Sequence, residues 1–199
     1  MGTFIRWIVR AVLVAVLVVS LGAGGHDTAA AGTTTTTGLS VQERQVLDWA
    51  MALFDEAGLD LPAIDVVGHD GNEPCGGGAG FHTGDGQRST LHICGEHRRK
   101  FDEVLFLHEL AHAWDVASLD DEHRAAFAEL RGVEQWWDDG VHDWVERGAE
   151  HAAEIIAWGL RDSPMQVITL PDAGCDALEL GYVTLTGRPP LHGYRDLCG

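Results

Sequence analysis

Residues 104–114 read Val-Leu-Phe-Leu-His-Glu-Leu-Ala-His-Ala-Trp. Within them His108, Glu109 and His112 follow the pattern HExxH. On an α-helix, positions four apart lie on one face, so both imidazoles can address one point. Zinc held by two such histidines keeps room for a third protein ligand and a water. Glu109 sits about a quarter-turn away, where its carboxylate can take a proton from that water without ligating the metal. No Pro or Gly interrupts residues 101–117, so the helix that the motif needs is expected there. Burying a Glu and two His in such an apolar run is costly unless they have a task. One zinc ion on His108 and His112, with Glu109 as catalytic base, is the expectation.

A third ligand is needed, and residues 144–160, WVERGAEHAAEIIAWGL, are the place to look. Glu150, Ala153, Glu154, Ala157 and Trp158 make one stripe of a 3.6-residue period, which predicts a helix over 144–160. Buried carboxylates are normally paired or metal-bound, so Glu150 and Glu154 are both candidates. Ala152, Ala153 and Ala157 would let this helix approach the first one closely. Glu146 extends the acid series but suits a helix N-terminus, where negative charge complements the dipole. His142 or His151 would instead give a three-histidine site, although His151 falls off the stripe and is expected at the surface. Asp115 continues the histidine face, either as a partner of an imidazole or as a polar residue near a helix end.

His108-Glu109-x-x-His112 followed by Glu150-x-x-Ala153-Glu154-x-x-Ala157 resembles the gluzincin metallopeptidases, over residues 104–160. The resemblance implies a single α+β zincin-like domain, a small sheet packed on the HExxH helix and on a second, Glu-bearing helix. It implies Glu150 as the third zinc ligand and Glu154 as the acid that orients the first histidine. The reverse assignment, Glu154 on the metal with Glu150 outside it, stays open. The interval from His112 to Glu150 is longer than in thermolysin-like members, and the orienting acid is Glu rather than the more usual Asp. A metzincin pattern is not met, because Asp115 and Ser118 stand where Gly and His would be required. The implied activity is hydrolysis of peptide bonds in a peptide or protein substrate. A cell-wall peptide hydrolase would use the same site, whereas a non-catalytic zinc-binding module would have no need of Glu109. The oxyanion donor is left among Tyr182, Tyr194, His142 and Arg147.

The amino terminus predicts export. Arg6 and Arg10 precede an apolar stretch over 11–21, short for a membrane span, and Ala29-Ala30-Ala31 offers a cleavage site. Residues 1–31 are read as a signal peptide, with an uncleaved anchor as the alternative. Residues 32–39 are read as a disordered Thr-rich leader, and 40–199 as one domain. The net charge is −18, and residues 1–31 contribute only two Arg and one Asp to it. Such acidity disfavours nucleic acid and anionic membranes as partners.

Cys75, Cys94, Cys175 and Cys198 all follow the apolar segment, and an even number in an exported chain predicts two disulfides. Of three connectivities, Cys75–Cys94 with Cys175–Cys198 closes two short loops and is expected. Ser40-x-x-Glu43 is a capping box opening a helix that ends at Gly58. Strands are expected over 63–67 and 89–94, with a Gly-rich loop over 69–80. Thr90 to Ile93 is either the rim of the cleft or an ordinary core strand. Helices are expected over 120–130 and 172–186. The loop 133–143, with Trp136 and Trp137, lies just before the second motif helix and is placed to line a cleft.

Overall fold

The computed structural model describes residues 34–95, 102–137, 140–161, 170–193 and 198. Four strands, β1 (Thr34–Thr37), β2 (Ala63–His69), β3 (Gly80–Gly84) and β4 (Arg88–Cys94), form one sheet in the order β1-β2-β4-β3. Five helices complete an α+β architecture: α1 (Val41–Ala57), α2 (Asp102–Ser118), α3 (Asp121–Arg131), α4 (Gly148–Leu160) and α5 (Cys175–Thr186).

The helix ends follow their sequence signals. Ser40 accepts from the Glu43 N–H while the Glu43 carboxylate accepts from the Ser40 N–H, and Gly58 closes α1 in the left-handed region at φ 66°. Asp120 caps α3, which ends at left-handed Gly132. In the sheet, Ile64, Val66, Leu91 and Ile93 alternate inward and join Leu47, Phe54, Phe106, Leu110, Ile155 and Trp158 in one core. The central element is α4. Every residue of it is buried except Glu150 and Glu154, which are half-buried.

Several elements differ from expectation. Thr34–Thr37 is not disordered: it pairs in parallel with β2, Thr34 opposite Ile64 and Thr37 opposite Val67, and the Thr35 hydroxyl donates to Asp65. β-Branched Thr suits an extended edge. Gly80–Gly84 is a strand as well, antiparallel to β4, although its two glycines hide it from propensity. The rim is therefore β3. β4 is paired on both sides, so Thr90 to Ile93 is a core strand. Helix α4 begins at Gly148, because Arg147 is extended (φ −98°, ψ 127°) and Trp144–Glu146 forms a separate 3-10 turn. Helix α5 begins at Cys175, because Asp172 is left-handed at φ 51° and Gly174 is extended.

The disulfides are Cys75–Cys94 and Cys175–Cys198, with Cα atoms 6.1 and 5.0 Å apart. Among the described residues no helix is long and apolar enough to cross a membrane. The signal-peptide reading of 1–31 falls outside the described residues, as does Tyr194.

Candidate metal centre

Helices α2 and α4 pack face to face and bring the two motifs together. His108 Nε2, His112 Nε2 and Glu150 Oε2 form a nearly equilateral triangle. The two histidine nitrogens are 3.1 Å apart, and they lie 3.1 and 3.3 Å from the carboxylate oxygen. These three residues could hold a metal ion. Glu154 Oε1 lies behind the triangle, 3.3 Å from His108 Nδ1.

This arrangement has an electrostatic consequence. If Glu154 accepts the Nδ1 proton, a neutral His108 presents a bare Nε2 lone pair to a carboxylate oxygen and to a second imidazole nitrogen. That contact is repulsive unless a cation, proton or metal, sits among the three atoms. The pKa directions agree. Burial opposes charge on His108, yet Glu150 and Glu154 outweigh it and hold its pKa well above the ordinary value. Burial pushes the Glu150 carboxyl up, but hydrogen bonds from His108 and His112 win and hold it far below the usual carboxylate range.

Glu109 is 4 % exposed, and its Oε2 has no hydrogen-bond partner among the described residues. Burial raises its pKa, against the pull of His108 and His112. It faces the backbone of β3: a Cβ placed on Gly80 would stand 2.6 Å from Glu109 Oε1. Gly80 thus lets the rim strand pass close to the carboxylate.

The three atoms open into a cleft of about 770 Å³. Gly78, Ala79, Gly80, Phe81 and His82 line it, together with Trp136, Trp137, Trp144 and Arg147. Trp144 stacks on the His108 ring with centroids 6.1 Å apart. His82 stacks on His112 at 6.3 Å and shares a 2.9 Å hydrogen bond with Ser89 Oγ. Burial, and then the nearby His112, bring the His82 pKa down to about 4.

The remaining sequence candidates fall in different places. Arg147 reaches the cleft, its guanidinium donating to the His142 carbonyl at 2.8 and 3.1 Å. His142 and Tyr182 do not line it; the Tyr182 ring is buried in the core against Gly159 of α4. His151, expected at the surface, is 2 % exposed, donating to the Val145 carbonyl (2.8 Å) and accepting from Arg131 Nε (3.4 Å). Among the described residues it joins no metal group. Glu146 caps the 3-10 turn, its carboxylate accepting from the Asp143 N–H. Asp115 is 1 % exposed and partners Arg124 and Trp136, not an imidazole. His82 and Trp144 were not legible as site residues: a five-residue strand bounded by glycines shows little alternation, and Trp144 reads as part of a helix.

No known family, curated protein or solved structure matches this chain.

Proposed function

We propose that this chain is an exported zinc metallopeptidase of the gluzincin type, with His108, His112 and Glu150 as the metal ligands. The observation that carries the reading is the His108–His112–Glu150 triangle with buried Glu109 lining the same cleft. Tetrahedral zinc with N and O ligands at 2.0–2.1 Å separates its ligand atoms by about 3.3 Å, and the triangle's sides are 3.1, 3.1 and 3.3 Å. Two imidazoles and a carboxylate also suit zinc's preference among donors. When bound, zinc supplies a Lewis acid that acidifies a water and polarises a carbonyl.

The chain's own residues do the rest. Glu109 takes a proton from the attacking water and delivers it to the leaving amine. Glu154 holds the His108 tautomer that leaves Nε2 free to ligate. Arg147 and His82, both lining the cleft, are the candidates to steady a developing oxyanion. The aromatic lining of the cleft, Phe81, Trp136, Trp137 and Trp144, suits a substrate with large apolar side chains. Two disulfides suit an oxidising, extracellular compartment.

The test is cleavage of casein and of labelled peptides by the purified protein. Chelation should abolish cleavage, and added Zn²⁺ should restore it. Glu109→Gln should cut the rate by about 10²–10⁴-fold while leaving the zinc content unchanged. Undiminished activity in that variant would remove the proposed base.

A further inference from the structure

The ligands come from two helices, so the site depends on how α2 and α4 are held relative to one another. Asp115 lies one turn beyond His112 on α2 and is 1 % exposed. Its Oδ1 accepts from Arg124 Nε at 3.0 Å and lies 3.0 Å from Nη2, which itself donates to the Asp115 carbonyl at 2.9 Å; its Oδ2 accepts from Trp136 Nε1 at 2.9 Å. Trp136 is in turn fastened to the start of α4. The Gly148 N–H donates to the Gln135 carbonyl at 2.8 Å, and the Ala149 N–H to the Trp136 carbonyl at 3.0 Å. No side chain caps α4, so these carbonyls satisfy its first N–H groups. The indole also lies directly over Gly148, where any Cβ would collide with its ring. Glu150 is the next residue after Ala149.

We propose that Asp115 is a positioning residue: through the Trp136 indole it sets where the first turn of α4, and hence Glu150, stands relative to His108 and His112. The role rests on the metal reading given above. The carboxylate gives each donor its own acceptor oxygen, and an amide has only one. In Asp115→Asn either the indole N–H or the guanidinium faces an NH₂ group. The connection from α2 to Trp136 is then broken, and the triangle loses its fixed dimensions.

The test is a double-mutant cycle read as Zn²⁺ affinity, by competition with a chelator, on wild type, Asp115→Asn, Trp136→Phe and the double variant. Trp136→Phe keeps an aromatic side chain beside Gly148 but removes the indole donor together with part of the bicyclic ring that lies over it. Each single variant should bind Zn²⁺ about 10-fold or more weakly. The double variant should be no weaker than the worse single one, because both break one connection. The Co²⁺-loaded variants should show a weaker visible absorption band than Co²⁺-loaded wild type, reporting loss of tetrahedral geometry. A lower melting temperature of the metal-free protein with unchanged Zn²⁺ affinity makes Asp115 a structural partner of Arg124 only, and overturns the role. Fully additive losses in the double variant overturn it too. Should Asp115→Asn fail to fold, wild-type affinity in Trp136→Phe overturns it by itself. A wild-type chain that takes up no Zn²⁺ overturns the metal reading first, and this role with it.

Discussion

His82 shows what burial does to a single residue. Its pKa is about 4 in the folded chain, against 6.5 for an ordinary histidine. The unfolded chain therefore binds more protons than the folded one between those two values. Stability is unaffected above pH 6.5 and falls as the pH drops through that window. In chelator-treated protein, wild type should lose about 1–2 kcal/mol more than His82→Gln between pH 7 and pH 5. Urea titrations at the two pH values measure this, and parallel losses would refute it. Gly80 makes a second residue-level case. Its Cβ in Gly80→Ala would stand 2.6 Å from Glu109 Oε1 and 3.0 Å from the His92 carbonyl, so strand or carboxylate must shift. A shift of about 1 Å at a catalytic group can cost 10²-fold in rate. The variant should stay folded and lose about 10–100-fold in peptide cleavage, and a wild-type rate would show that Glu109 does not depend on this approach.

The elements differ in how much of them the sequence displayed. Helix α2 was legible in its existence and its facing, because an uninterrupted apolar run around the HExxH spacing leaves few other structures. Helix α4 was legible by its stripe, but its start was not. The 144–147 stretch has helical periodicity, yet it turns and extends so that Arg147 can bridge to Gln135 and the α4 N–H groups can reach the 135–136 carbonyls. A one-dimensional pattern does not carry that bond between distant segments. Strand β3 was missed for the same reason, since pairing with β4 rather than intrinsic propensity holds Gly80–Gly84 extended. Packing between helices gives the prediction at this scale. Gly159 of α4 leaves room only for the Tyr182 ring of α5, and an added methyl would overlap it. Gly159→Ala should destabilise the protein by about 1–3 kcal/mol, seen as a lower midpoint in chemical denaturation. An unchanged midpoint would mean that α5 can slide without cost.

At the scale of the whole molecule, metal and disulfides should add stability to the same fold. Zn²⁺ at a hundredfold its dissociation constant should stabilise the chelator-stripped protein by about 2.7 kcal/mol. A melting temperature that does not respond to Zn²⁺ would be incompatible with a folded-state site. Cys75–Cys94 spans 19 positions, and replacing both residues by Ala should cost about 2–4 kcal/mol. Cys75 also borders the cleft, so activity should fall along with stability. The sequence alone determined which groups have chemistry to offer and on which helical faces they lie. Spacing of i and i+4, an acid stripe and paired cysteines are local patterns, and helical geometry converts them directly into direction. The tertiary structure decided everything that needs two segments at once. It put Glu150 on the Nε2 side of His108 and Glu154 on the Nδ1 side, made β3 the rim, carried His82 and Trp144 into the cleft and set Asp115 against Trp136. Those outcomes depend on burial and hydrogen bonding between residues far apart in the chain, and no single stretch of sequence records them.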